Sequence, residues 1–179
     1  MVKNTIGLDD KVVEYDEDVM SCTSKRFELL PSLDWNSLYN NLVHFRIDAS
    51  KAGSEEINSY FDIIESRLES YGFSKSDRID FSISLSEALF NAQKHTLLLK
   101  SGEEVYLNVF FSDKVAFAGV TATGVPFDIQ NAAESIKSMK GDLFRTCGRG
   151  SYIMAELCDV FYVTRSGSSS EVILGKLAG

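Results

Sequence analysis

The stretch from Ser74 to Leu99 constrains this chain more than any other. It reads as one long amphipathic helix, with Phe81, Leu85, Ala88, Leu89 and Ala92 at helical spacing. Glu87, Asn91 and His95 recur every four residues within it, so they share one helix face next to the apolar one. Ser74 and Asp77 form a capping-box-like pair that opens the helix, and Gly72 is a stop for the helix before it. Directly afterwards the apolar period falls to two. Val105–Phe111 and Val115–Thr121 read as strands joined by a Ser-Asp turn. Any fold for this chain has to lay a long helix, carrying polar groups close to its buried side, across a strand pair.

The flanking segments extend that pattern. Leu42–Asp48 alternates as a strand, and Glu55–Tyr71 is helical through Ile57, Tyr60, Phe61, Ile64, Leu68 and Tyr71. Helical potential returns over Ile129–Met139 and Ser151–Cys158. Val160–Thr164 and Glu171–Leu177 form a final hairpin across Ser166–Ser170. The sum is an α+β two-layer sandwich, a mixed sheet with helices on one face. Residues 1–24 are polar and acidic and read as a loosely packed, partly flexible arm. Residues 25–43 read as a short strand and helix capping the domain. The division is therefore an N-terminal extension, 1–42, and a main domain, 43–179.

Composition sets outer limits on function. With 179 residues and a 44% hydrophobic fraction, one domain with a real core is expected. A formal charge of −8 argues against nucleic acid as a partner. Three scattered cysteines, Cys22, Cys147 and Cys158, lack metal-ligand spacing and fit a reducing cytoplasm. No apolar run approaches the roughly 18–20 residues that span a bilayer. The N-terminus has no signal-peptide core. The expectation is a cytoplasmic protein with no membrane partner.

Three segments carry chemistry. An asparagine amide oxygen is a hard ligand suited to Mg²⁺, and Glu87 can take or orient a hydroxyl proton. The plain alternative for Glu87 and Asn91 is a half-exposed polar pair on an amphipathic helix. Gly148-Arg149-Gly150 precedes a helix, where glycines admit a phosphate to backbone N–H groups; Arg149 and Arg145 can pair with its oxygens. The alternative there is a glycine-punctuated loop with surface arginines. Gly124-Val-Pro-Phe127-Asp128 follows a strand, and Gly124 lets the chain come close to a planar ligand.

In this order, Glu87/Asn91/His95, then Ala122-Thr-Gly124-Val-Pro-Phe127-Asp128, then Gly148-Arg149-Gly150 resemble the boxes of the histidine-kinase-like (Bergerat) ATPases. Within that superfamily the chain looks most like the anti-sigma-factor serine kinases of bacterial partner switching, over roughly residues 43–178. The resemblance implies ATP and Mg²⁺ as ligands, with Asn91 on the metal and Glu87 as base for a serine on a partner protein. Gly148 and Gly150 would frame the phosphates, and residues 130–147 would form a lid. His95 would be structural. The implied partners are a sigma factor or an anti-anti-sigma (STAS-type) protein, and a homodimer is compatible with the family. Two residues depart from the pattern. Pro126 stands where many superfamily members have a second glycine, and it stiffens the loop. Ala122 stands where the family carries the aspartate that reads the adenine amino group. Losing that acceptor costs roughly 1–3 kcal/mol. This leaves two readings: a serine kinase with weakened ATP recognition, or a module that kept the fold and binds a protein without turnover.

Overall fold

A computed structural model describes residues 4–7, 11–28, 41–48, 55–97, 104–124, 127–139 and 149–179. The strands are β1 (Asn4–Gly7), β2 (Lys11–Tyr15), β3 (Val19–Ser24), β4 (Leu42–Asp48), β5 (Glu104–Phe111), β6 (Val115–Thr123), β7 (Val160–Ser166) and β8 (Ser169–Leu177). The helices are α1 (Lys25–Glu28), α2 (Glu55–Ser70), α3 (Lys75–Leu97), α4 (Ile129–Met139) and α5 (Arg149–Leu157). All eight strands join one sheet in the order β1-β2-β3-β7-β8-β6-β5-β4. The expected α+β sandwich is therefore present. Burial alternates along β2, β3, β4, β5 and β7, the pattern of strands with one covered face.

Strand direction corrects the expectation of a mixed sheet, because every neighbouring pair is antiparallel. Between β4 and β5 the chain runs through two long helices, α2 and α3. Two passes bring it back to the end of the sheet it left, so β5 runs back against β4. A parallel neighbour would need a single crossover.

Residues 4–24 correct a second expectation. Among the described ones, 4–7, 11–15 and 19–24 are strands rather than a loosely packed arm, and β3 pairs with β7 from Val19↔Thr164 to Thr23↔Val160. Val13, Met20 and Cys22 enter the same core as Phe161 and Val163. Of the acidic residues that suggested an arm, Asp9 and Asp10 lie outside the described residues, Glu14 is in β2, and Asp16, Glu17 and Asp18 sit in the β2–β3 turn. There the Asp16 carboxylate accepts the N–H groups of Asp18 and Val19, both at 2.9 Å. Of the cap expected over 25–43, the structure describes α1 and the start of β4; residues 29–40 lie outside the described residues.

Local chemistry sets the ends of the helices that matter for the site. The Asp77 N–H donates to Ser74 Oγ at 3.2 Å, and the Ser74 hydroxyl donates to Asp77 Oδ2 at 2.6 Å. This closes the cap at the start of α3. Helix α2 ends in a Schellman motif. Phe73 N–H donates to Leu68 O at 3.1 Å, Gly72 N–H donates to Glu69 O at 3.0 Å, and Gly72 has φ 82°. Helix α3 then lies over β5, β6 and β8 with Phe81, Leu85, Ala88 and Leu89 inward. Helix α4 packs on β2 and β3, and α5 packs on α3 and α4.

The C-terminal end of α5 is held by two buried lysines. Lys11 Nζ, from β2, donates to Ala155 O at 2.7 Å and also to Glu156 O. Lys176 Nζ, from β8, donates to Leu157 O and to the Asp80 carboxylate, both at 2.8 Å. Cations at a helix C-terminus satisfy its orphan carbonyls and oppose its dipole. Lys11→Met keeps most of the packing but leaves two carbonyls without this donor. It is expected to lower stability by about 1–3 kcal/mol in urea denaturation.

Cys22 and Cys158 are buried thiols. Burial pushes the Cys158 thiol up from 9.0 to about 12. Because the folded value is the higher one, the stability from this group is intact below pH 9 and falls as pH rises towards 12. Iodoacetamide at mildly alkaline pH should leave Cys158 unmodified in native protein and label it fully in denaturant, read by peptide mass spectrometry.

Candidate functional site

Glu87 and Asn91 stand one turn apart on α3, on the side that meets the first turn of α5. The contact between the helices is close. A Cβ added to Gly150 would lie 2.8 Å from Glu87 Oε2 and 2.9 Å from Asn91 Nδ2. With a glycine here the backbone of α5 comes this near without displacing either polar side chain. This glycine follows Arg149, which opens a nine-residue helix, so the positive end of the helix dipole points to the same place.

A cleft of about 660 Å³ opens at this contact, within the size range of small-molecule sites. Helix α3 contributes Glu87, Phe90, Asn91 and Lys94 to one wall. The facing wall takes Phe127, Asp128, Asn131, Ala132 and Ser135 from the start of α4 and its lead-in. The end of the cleft takes Arg149, Gly150, Ser151 and Ile153 from α5. Asp128 caps α4, its Oδ1 accepting the Asn131 N–H at 3.0 Å. Lys94 and Arg149 are exposed cations and Asp128 an exposed carboxylate, so the lining offers both signs of charge.

A second, smaller cavity of about 30 Å³ adjoins the cleft, sharing Asn91 and Phe127 with it. Its wall is largely apolar: Ala88, Ala92, Val120, Ala122 and Val172, with Thr123 and Ser170 at its polar edge. Ala122 pairs with Ser170 across β6 and β8, which places the two side chains on one face. Ser170 Oγ accepts the Phe127 N–H at 2.8 Å, and Thr96 Oγ1 donates to Thr123 O at 3.2 Å. The chain around Ala122 is therefore fixed from both sides. The space has room for a water or two and is well short of a purine.

Of the residues singled out in the sequence, Glu87, Asn91, Phe127, Arg149 and Gly150 line the one cleft. Gly124 lines neither cavity. It ends β6 at φ 142°, its N–H donating to Ser168 O at 2.8 Å. Arg145, Gly148 and the 140–147 part of the expected lid lie outside the described residues, while 130–139 belongs to α4. His95 is in α3, but its side chain is outside the described set. Sequence reasoning passed over Ser170, Lys94, Asn131 and Ser135. Ser170 becomes visible once the register of the last hairpin is known, and Lys94 stands seven residues after Glu87 on the same helix.

The donor set fits a phosphate-bearing ligand with Mg²⁺. A glycine cradle at a helix start, two nearby cations, an amide and a carboxylate are all present. Among the described residues no three His, Cys, Asp or Glu side chains converge as a metal cage. A cation here would take most of its oxygens from phosphate and water, as Mg²⁺ commonly does. The cavity beside Ala122 offers a base no carboxylate acceptor. Residues 52–176 match the model of the histidine kinase-like ATPase domain, and the chain belongs to that family. No curated protein matches the chain. Among the described residues, no helix is long and apolar enough to cross a membrane.

Two glycines separate site geometry from stability. At Gly150 the atoms in the way are the ends of two flexible side chains. At Gly175 a Cβ would meet the Phe117 ring at 2.7 Å and Val160 Cβ at 3.0 Å. Gly150→Ala should cost under about 1 kcal/mol in urea denaturation, and Gly175→Ala about 1–3 kcal/mol or more.

Proposed function

We propose that the chain is a cytoplasmic partner-switching regulator of the anti-sigma type, which uses Mg-ATP to phosphorylate a serine on an anti-anti-sigma-type protein. The observation that carries this reading is the contact of Gly150 with Glu87 and Asn91 at the edge of the cleft. Asn91 would hold Mg²⁺ through its amide oxygen, and the metal would neutralise phosphate charge. Arg149 and Lys94 supply cations for phosphate oxygens, and the first turn of α5 supplies backbone N–H groups. Glu87 accepts the proton of the incoming serine hydroxyl as its oxygen bonds to the terminal phosphorus and the bond to the leaving diphosphate breaks.

A second reading rests on a specific observation of its own. The cavity beside Ala122 is small and lacks a carboxylate. That supports a binding module that holds a sigma factor or another protein partner without turnover.

Titration calorimetry with Mg-ATP separates the two readings. For the kinase, wild-type binding is expected to be weak, in the high micromolar range, on the strength of one missing buried hydrogen bond. Asn91→Ala should abolish binding, while Glu87→Ala should leave it within about twofold and stop transfer to an anti-anti-sigma protein. Ala122→Asp restores an acceptor for the adenine amino group and should tighten ATP about tenfold, with less effect on GTP. No nucleotide binding by the wild type or by Ala122→Asp would establish the binding module in place of the kinase.

A further inference from the structure

Helix α3 carries a second feature, on the face opposite the sheet. Ile79, Ile83 and Phe90 are 46%, 43% and 60% exposed, the last being the most exposed large apolar residue described. Their spacing of four and then seven residues puts them in one row, with exposed Ser86 between them. At 1.5 Å per residue the row is about 16 Å long. Three large apolar side chains in line on a helix are unlike the scattered exposed residues found on most surfaces.

The row has a direction. Its far end reaches Phe90, which also lines the cleft beside Glu87 and Asn91. Its near end lies beside α2, where Arg78 donates to the Glu69 carboxylate at 2.9 Å. The surroundings are acidic. Residues 55–90 hold eight carboxylates against three cations, so −5 of the chain's −8 lies on the two helices that bear or border the row. Helix α2 exposes Glu55, Glu56, Asp62, Glu65 and Glu69. A second copy laid on this face would bring like charges together, which disfavours self-association here.

We propose that the outer face of α3 is a docking surface for a basic, amphipathic helix of the partner protein, seated with its apolar side on Ile79, Ile83 and Phe90. The occupant's lysines and arginines meet the exposed carboxylates of α2, and its apolar anchors repeat at i, i+4 and i+11. Because the row ends at Phe90, a partner held there has its neighbouring segment at the mouth of the cleft next to Glu87. This deepens the kinase reading and rests on it only for that last step; the docking itself needs no nucleotide.

The test uses a fluorescein-labelled helical peptide of about 16 residues, with leucines in the matching row and lysines and arginines elsewhere. Fluorescence anisotropy with the full chain, without nucleotide, should show saturable binding. Affinity should fall about tenfold or more for the Ile79→Ser/Ile83→Ser double variant. It should fall by a similar factor between about 50 and 500 mM salt. A peptide of equal composition, scrambled to break the row, should bind at least about tenfold less. The double variant should keep wild-type Mg-ATP titration and urea midpoint, because neither residue lines the cleft. Equal binding of the scrambled peptide, or by the double variant, would mean charge attraction alone and would overturn the proposal. So would sedimentation showing a wild-type dimer that the double variant turns into a monomer, since a second copy would then cover the face. Peptide binding without Mg-ATP binding would remove the kinase reading and leave the surface standing. Mg-ATP binding without peptide binding would do the reverse.

Discussion

The contact between Gly150 and the pair Glu87–Asn91 depends on where α5 is held. Its first turn touches α3 without a side chain between them. Its last carbonyls are fixed by Lys11 and Lys176, from strands near opposite ends of the chain. A helix of nine residues has little stability of its own, and its position comes from what it packs on. The cleft exists because α5 is pinned at its far end while its near end carries no Cβ to push α3 away. Helix α4, on the facing wall, leans on β2 and β3. Both walls of the site therefore rest in part on strands that precede the family match at residue 52.

Much of this was legible in the residues. The period change after Leu99 marked β5 and β6, and the Ser74–Asp77 pair marked the start of α3 within a residue. Helix α4 runs over Ile129–Met139 as its spacing indicates. The cleft residues Glu87, Asn91 and Gly150 were found from chemistry at fixed spacing, which survives without knowledge of packing. Failures arose where long-range pairing decided the outcome. Lys11–Tyr15 and Val19–Ser24 are short and flanked by carboxylates, so their alternation is weak until β7 offers an edge to pair with. Lys11 and Lys176 look like surface lysines in the sequence. Only the fold places their ammonium groups on the carbonyls of α5. The antiparallel direction of β4 and β5 depended on counting two helical passes between them, which no single segment displays.

The pairing of β3 with β7 has a consequence for how the molecule comes into being. Met20 lies opposite Val163, so β3 must wait for residues made 143 positions later. During synthesis β1–β3 have no sheet to join, and the helix end that Lys11 will hold has not yet left the ribosome. Contacts this distant in sequence form slowly, because a long loop must close before any bond repays it. The cleft walls on α4 and α5 thus reach their final support only as the β7–β8 hairpin completes the sheet. A nascent or truncated chain that stops before residue 160 would carry Glu87 and Asn91 but not the frame that gives them their neighbour.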